Sequence, residues 1–372
     1  MRRSLVARSL PIRALACALA ACALAAWACA APAGAQTVSG RVVERETGSA
    51  LTASLVELLD SAGVVRAAVL SDSTGAFVVR ATAPGRYRVR AEHIGRETVR
   101  SEELQLGVGA ATSVRLAAPI AAILLQPLVV TGRNRCKLRP DAAEATARLW
   151  EEARKALRVA RLARRSKAFA VRRFEHILSP RTFLLMKESG ADLPGASVRP
   201  IASTTEVELD SLGYVHKEYD AWVFWAPDEE VLLSDGFLDH HCIELRNGGR
   251  QRPGLIGLAF KPVRRHRRDI QGTAWLNAST AELKYVEFEF TNLPWDVPAE
   301  ARSGLVQFRQ LPSGGIVIGY WYVRMPVMTL LSYSGPLIPG GRTPAPRDIL
   351  AWVVESGAEL LNSDMSPIGS PK

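Results

Sequence analysis

Apolar and polar positions alternate with a period of two along most of this chain. The phase resets at clusters of Gly, Pro, Asn, Asp and Ser. Such alternation is the signature of half-buried antiparallel strands. Between residues 37 and 117 it predicts Thr37–Val43, Ala53–Leu59, Val64–Leu70, Ala76–Arg80 and Arg86–Ala91 as strands. Turns at Glu44–Ser49, Asp60–Gly63, Asp72–Gly75 and Pro84–Gly85 separate them. The last strand is the clearest, with Tyr87, Val89 and Ala91 on one face and Arg86, Arg88 and Arg90 on the other. Short strands with turn signals at this spacing predict a small β-sandwich.

The period changes once. From Asp141 to Lys167 the apolar positions Leu149, Trp150, Ala153, Leu157 and Ala160 fall at helical spacing, and Asp141 behind Pro140 suits a helix start. From Phe169 onward alternation returns. Strands are predicted at Thr205–Leu209, Ala221–Ala226, Leu255–Phe260, Ile270–Leu276, Glu282–Phe290, Ile316–Val323 and near Ile349–Val354. Asn277–Ala281 reads as a hairpin loop, and Met325-Pro326 as the stop of its strand. Ile316–Val323 is apolar on both faces, so it is central or lines a cavity. The fold class expected is mainly β: an N-terminal β-sandwich, then a helix plus a curled antiparallel sheet. The boundaries are 1–35, 36–117 for the sandwich, 118–140 for an apolar linker, 141–362 for the body and 363–372 for a disordered tail.

Charge and cysteine usage change meaning once the N-terminus is understood. Arg2, Arg3, Arg8 and Arg13 precede an apolar run from Ala14 to Ala31, and Pro32 and Ala33-Gly34-Ala35 follow it. This three-part arrangement is a cleavable secretory signal over residues 1–35. A run of that length competes weakly as a membrane anchor. Leu19-Ala20-Ala21-Cys22 resembles the lipobox of bacterial lipoproteins, so lipid anchoring at Cys22 is an alternative to cleavage after Ala35. No later stretch is apolar enough to span a bilayer. The signal contains three of the five cysteines. Cys136 and Cys242 remain, and in an oxidising compartment an even pair implies one disulfide, with two separate thiols as the alternative.

The full chain carries a formal charge of +10, and residues 132–173 alone hold 14 Arg and Lys against 4 acids. Arg154, Arg158 and Arg161 on the helix are therefore candidates for contact with anionic headgroups, against the plainer reading of a solvated face. Arg264, Arg265, Arg267 and Arg268 form a second basic cluster in a loop. An exported chain with this charge is not expected to meet nucleic acid.

Ser39–Val43, Gly48, Leu55–Leu58, Ser71–Phe77 and Pro84–Val89, in that order, resemble the carboxypeptidase regulatory-like domain. The resemblance implies a prealbumin-like, seven-stranded β-sandwich with an accessory or binding role, and no peptidase activity. Leu128-Val129-Val130-Thr131-Gly132 is similar to the stretch joining this sandwich to the plug of TonB-dependent outer-membrane receptors, although too little chain follows for a receptor barrel. Gly272–Asn277 with Leu283-Lys284 resembles a hairpin of periplasmic lipoprotein-carrier half-barrels, which implies an apolar groove.

Catalytic patterns are missing from the sequence: no Gly-x-Ser-x-Gly, no His-Glu-x-x-His and no phosphate-binding glycine loop. Asp235–Cys242 holds two acids and adjacent His240 and His241, which diverge on a strand and make a poor chelate. Asp72, Ser73 and Gly75 read as a turn, since a calcium loop needs further acids. No metal or cofactor is expected. The function expected is that of an exported, non-enzymatic envelope protein, periplasmic or outer-membrane-associated. Its β body would bind an apolar ligand along Trp222, Trp275 and Trp321, or a lipid or outer-membrane protein partner. The alternative is an envelope hydrolase using Asp235 and Asp239. The ligand and the oligomeric state are not legible.

Overall fold

The computed structural model describes residues 36–121, 140–166, 169–196, 203–264, 266–332, 345–362 and 364–368. The predicted signal, Cys136, Arg265 and the Leu128–Gly132 stretch lie outside these residues.

The first eight strands are β1 (Gln36–Glu44), β2 (Leu55–Asp60), β3 (Val65–Leu70), β4 (Ala76–Ala81), β5 (Gly85–Glu92), β6 (Val99–Arg100), β7 (Leu104–Leu106) and β8 (Ala111–Ala118). They form two facing sheets, ordered β4-β1-β8 and β3-β2-β5, with β6 and β7 both paired to the outer edge of β5. The seven-strand expectation holds with one strand broken. Ser101, between β6 and β7, bonds Val89 through both its backbone N–H and its side chain, so the ladder continues across the gap. Val38, Val42, Val56, Leu58, Phe77 and Val89 fill the space between the sheets. The Asp72 loop is a turn: its carboxylate accepts from the Thr74 hydroxyl and from the N–H groups of Thr74 and Ala76, which holds its pKa below the ordinary value.

The body begins with α1 (Pro140–Ser166), which starts on a proline, where the missing N–H leaves no bond unmade. Then come β9 (Phe169–Leu178), β10 (Leu185–Ala196), α2 (Glu206–Leu212), β11 (Val215–Glu218), β12 (Ala221–Phe224), α3 (Glu229–Leu233) and α4 (Asp235–His240). The remaining strands are β13 (His241–Asn247), β14 (Leu255–Pro262), β15 (Ile270–Asn277), β16 (Leu283–Phe290), β17 (Ser303–Gln310), β18 (Ile316–Leu331) and β19 (Arg347–Leu361). Nine of them make one sheet in the order β10-β9-β19-β18-β17-β16-β15-β14-β13, antiparallel throughout, with β10 and β13 as open edges. Leu258, Phe260, Val286, Phe288, Val306 and Ile318 share a core with Leu149, Ala153 and Leu157 of α1. The sheet curls around the helix because α1 must be covered. β18 is central, as its two apolar faces predict.

Three expectations are corrected. Thr205–Leu209 is not a strand but the start of α2. Thr205 and Glu208 form a capping box, and that local signal outweighs a short alternation. Pro326 does not end its strand: β18 runs through it to Leu331, with a bulge one residue later at Val327/Met328. The tail is ordered as far as it is described, with Ile368 buried and its carbonyl accepting from Arg309 at 3.1 Å. One glycine is required by close approach. A Cβ on Gly357 of β19 would stand 2.2 Å from the Trp321 carbonyl oxygen and 2.5 Å from the Phe174 ring, which lies across the gap.

The sandwich and the body meet on α1. Ala156, Val159 and Ala163 are buried as well as the predicted stripe, so the helix is covered on more than one side. Its charged residues reach across the seam. Arg158 donates to both Glu92 carboxylate oxygens at 2.8 and 2.6 Å and also to Glu57, while Arg90 donates to Glu57 at 2.8 Å. Glu152 accepts from the Gly95 N–H at 2.7 Å, and Lys155 donates to the Arg96 carbonyl at 2.6 Å. Glu57, Glu92, Glu152 and Lys155 are all buried. Removing one partner of a buried pair strands the other charge, at a cost of about 3–5 kcal/mol. Arg158→Met is therefore expected to lower the unfolding free energy by that amount, read as a lower urea midpoint. Arg158→Lys is expected to restore only part of it, because an ammonium cannot fork to two carboxylates. An unchanged midpoint in Arg158→Met would show that the seam does not depend on this contact.

Candidate functional site

The structure disperses the residues that the sequence grouped. Trp275 and Trp321 point to opposite faces of the large sheet: Trp275 is paired with Tyr285, whereas Trp321 is paired with Val306 and follows the inner row. Trp275 is fully buried beneath the Arg252 guanidinium, which lies 4.7 Å from its ring, and its N–H donates to Glu287 at 2.9 Å. Trp222 belongs to the separate β11–β12 hairpin, edge-on to Trp295 and beneath Arg268. The three rings do not line one groove, because alternate positions on a strand serve opposite faces.

The basic sets are likewise paired internally. Arg158 is held at the seam. Arg161 reaches Glu230 at 3.1 Å, Arg164 reaches Glu229, and Arg154 stands 3.6 Å from Glu151. Glu229 is buried, and desolvation outweighs Arg164 in raising its pKa. In the loop after β14, Arg264 and Arg267 share Asp210 at 3.4 and 3.0 Å, and the Arg267 bond lowers the Asp210 pKa. Arg158, Arg161 and Arg164 thus meet acids contributed by distant segments, whereas Arg154 and Arg148 face acids of their own helix.

Asp235 and Asp239 are exposed on the same side of α4 and do not face one another across a cleft. His240 and His241 diverge. His240 lies 3.4 Å from Asp210, while His241 is buried between the Phe237 carbonyl at 2.9 Å and Asp269 at 3.2 Å. Cys242 follows at the start of β13 and is half-buried.

A cleft of about 310 Å³ opens instead at the seam. The sandwich supplies Leu51, Thr52, Ala53, His93 and Ile94; α1 supplies Val159; the hairpins of the body supply Thr280, Glu282, Gln310, Gly314 and Ile316. Each element is positioned by local chemistry. Ala53 takes a left-handed conformation at φ 55°, which brings Ser54 back against the Leu51 carbonyl at 3.1 Å. Asn277 caps the β15–β16 turn by accepting from the N–H groups of Ser279 and Thr280. Gly314, at φ 81°, closes the β17–β18 turn, and a Cβ there would press 2.5 Å from the Thr52 methyl. Two turns of the body therefore abut one turn of the sandwich, with Val159 and Ile316 as a buried apolar floor.

His93 gives the cleft its chemical character. Its Nδ1 lies 3.1 Å from the Ser54 hydroxyl. The same hydroxyl stands 3.1 Å from the Leu51 carbonyl, which also accepts from Ser71 at 2.7 Å. Burial first, and the nearby Arg96 and Lys155 charges second, push the His93 pKa down to about 4. The ring is neutral at pH 7. Ser54 is fully buried and committed to a backbone carbonyl, so this Ser–His contact is structural and not a nucleophile with its base. The cleft thus combines an apolar floor with a neutral imidazole, an amide, two hydroxyls and one carboxylate, Glu282, held by Lys284 at 2.8 Å. None of these residues stands out in the sequence, because each is ordinary where it occurs. The one available signal was indirect: Glu57 and Glu92 are acids in apolar strands, and buried acids require a cation from elsewhere.

The sequence profile of the carboxypeptidase regulatory-like domain matches residues 37–119, the span that folds as the sandwich. Residues 37–119 are a carboxypeptidase regulatory-like domain. This domain therefore forms one wall of the cleft. No curated protein matches the chain. Among solved structures it is similar to the group B streptococcus pilus 2b backbone protein (12% identity, TM-score 0.20), covering 24% of this chain and 43% of that one. It is also similar to a DUF3823 family protein from Bacteroides uniformis (11% identity, TM-score 0.20), covering 71% of this chain and 100% of that one. A third similar structure is BcpA, the major pilin subunit of Bacillus cereus (8% identity, TM-score 0.20), covering 90% and 100%. The chain spans less than half of the pilus backbone protein. At these scores neither the fold nor the role of these proteins is carried over.

The depressed His93 pKa makes a signed prediction. The unfolded imidazole titrates near 6.5 and the folded one at about 4, so between these values the unfolded state binds the extra proton. Stability contributed by neutral His93 is complete above pH 6.5 and is lost as pH falls toward 4, on the order of 3 kcal/mol in total. His93→Asn, which keeps a hydrogen-bonding group toward Ser54, is expected to flatten this part of the curve. Urea unfolding of both proteins between pH 4 and 7.5 checks it, and parallel curves would refute the assignment.

Proposed function

We infer that this chain is an exported, non-enzymatic envelope protein. Its regulatory-like domain and β body are latched together to hold a small, partly apolar ligand in the cleft between them. The observation that carries this reading is the cleft itself, whose apolar floor and polar rim, with the single carboxylate of Glu282, are drawn from both modules. Its volume suits a small molecule or one segment of a larger one. The latch supports the same reading, because a cleft whose walls come from two modules needs a fixed seam. Export is supported by the N-terminal sequence pattern, and the Cys136–Cys242 disulfide belongs to the reading as the covalent tie expected in such a compartment. The hydrolase alternative loses its support with the positions of Asp235 and Asp239.

The protein purified from its native envelope tests both parts. Mass spectrometry of the extracted protein is expected to show a small organic ligand. Gln310→Trp, at the exposed rim, is expected to lose that ligand without changing the unfolding midpoint. Equal ligand content in both proteins, or none in the wild type, would refute the cleft. Intact mass separates an N-terminus at Gln36 from a lipidated Cys22. Non-reducing peptide mapping is expected to recover Cys136 joined to Cys242, and two free thiols would remove the tie.

A further inference from the structure

Of the two sheets of the sandwich, β3-β2-β5 turns its outer face, with Glu57, Arg90 and Glu92, toward α1. The outer face of β4-β1-β8 points the opposite way. Val38, Val42, Phe77, Val79 and Leu116 of these strands fill the core, so the alternate positions Ser39, Arg41, Val78, Arg80, Ser113 and Arg115 face outward. All of these but the half-buried Ser39 are exposed, and no described element lies over them. Arg80 pairs with Thr37 at one end of the face. Four residues further along β1, about 13–14 Å away, Arg41 pairs with Arg115 across the β1–β8 ladder. Small side chains fill the interval, where Ser39 lies between Val78 and Ser113. The face is a shallow strip with arginines at both ends and hydroxyls along its floor.

Charge on this strip is unbalanced. Arg41, Arg80 and Arg115 have no ion-pair partner among the described residues, whereas the arginines of α1 and of the seam are paired. Like charges side by side on adjacent strands are destabilising, so the Arg41–Arg115 pair carries a cost that an anion between the two would remove. Asp72, which feels the Arg41 charge through space, does not supply that anion. Its carboxylate is taken up by the Thr74 hydroxyl and the N–H groups of Thr74 and Ala76. The Ser39 and Ser113 hydroxyls make no hydrogen bond with described residues either. Guanidinium forks match carboxylate and phosphate groups, and free hydroxyls match a ligand with hydroxyls of its own. A bilayer would require apolar side chains that insert, and Val78 is the one large apolar residue exposed among the described residues of this face. We propose that this face binds an acidic polysaccharide laid along the strip. Arg80 holds its anionic groups at one end and the Arg41–Arg115 pair at the other, while Ser39 and Ser113 bond its hydroxyls. The site is separate from the seam cleft and does not rest on the ligand proposed there.

The test is fluorescence polarisation of labelled polygalacturonate oligomers titrated with the signal-free chain at low salt. Wild-type protein is expected to bind them, more weakly as salt rises, and not to bind neutral dextran. Arg41→Gln, Arg80→Gln and Arg115→Gln are each expected to weaken binding about threefold, and the triple variant ~thirtyfold, as suits exposed charge contacts that add. A second triple variant, Arg173→Gln, Arg181→Gln and Arg250→Gln, removes the same charge from exposed arginines that have no ion pair among the described residues. It is expected to bind as wild type. Arg115→Gln is expected to keep or raise the unfolding midpoint, because it removes a like-charge contact. No binding by the wild type, equal binding of dextran, equal loss in the second triple variant, or a lower midpoint in Arg115→Gln would overturn the proposal. So would tighter binding to phosphatidylglycerol vesicles than to polygalacturonate through the same three arginines, which would make the face a membrane contact.

Discussion

Everything in this molecule turns on α1, a helix asked to be buried on more than one side while carrying a dense row of charge. An amphipathic helix normally leaves its charged face in water. Here the opposite face is covered by a second domain, so each charge on it needs a partner brought from elsewhere. Glu57 and Glu92 come from strands of the sandwich, Glu229 and Glu230 from the segment before α4, and the Gly95 N–H and Arg96 carbonyl from a loop. Desolvating these groups is costly, and the hydrogen bonds offset that cost only when both modules are in register. The seam is thus specific rather than merely sticky, and the cleft beside it inherits its geometry.

The large sheet answers the same demand from the other side. A nine-stranded antiparallel sheet has two open edges and two faces. Curling around α1 buries the inner face, while the outer face carries Tyr320, Tyr322, Arg324, Glu355 and His176 in cross-strand pairs. Burial raises the Tyr320 pKa to about 12, which keeps it a neutral phenol within that layer. At the far end Trp295, Val297 and Ala301 cover one side of the strands beside Met328 and Leu350. Leu184, Leu330 and Trp352 stand there in solvent.

Local rules succeeded where one segment suffices. The strands of the sandwich, the Asp72 and Asn277 turns, the α1 stripe and the outward–inward phase of Val286, Phe288 and Phe290 all follow from period and turn chemistry. Local rules failed where two signals conflicted. Thr205–Leu209 alternates like a strand, yet Thr205 and Glu208 cap a helix. Pro326 reads as a stop, yet β17 pairs with β18 only as far as Val323, so Pro326 has one partner strand, β19, and β18 runs on through it. The site was less legible than the fold. Three tryptophans looked like a groove because they are large and rare, but their strand positions send two of them to opposite faces. The arginines of α1 looked like a headgroup patch because their acids lie scattered through other segments.

What the sequence determined alone is therefore the inventory and its local grammar: a regulatory-like sandwich, one long helix, and strands enough for a curled sheet. Hydrophobic period and turn residues act within a dozen positions, and those choices need nothing further. What only the tertiary structure decided is who meets whom. Arg158 and Glu92 are 66 residues apart, and His93, Val159, Thr280 and Ile316 meet at one cleft although no local pattern connects them. Burial and charge pairing are properties of the assembled surfaces. They convert a helix read as an outward basic face into the buried joint of the molecule.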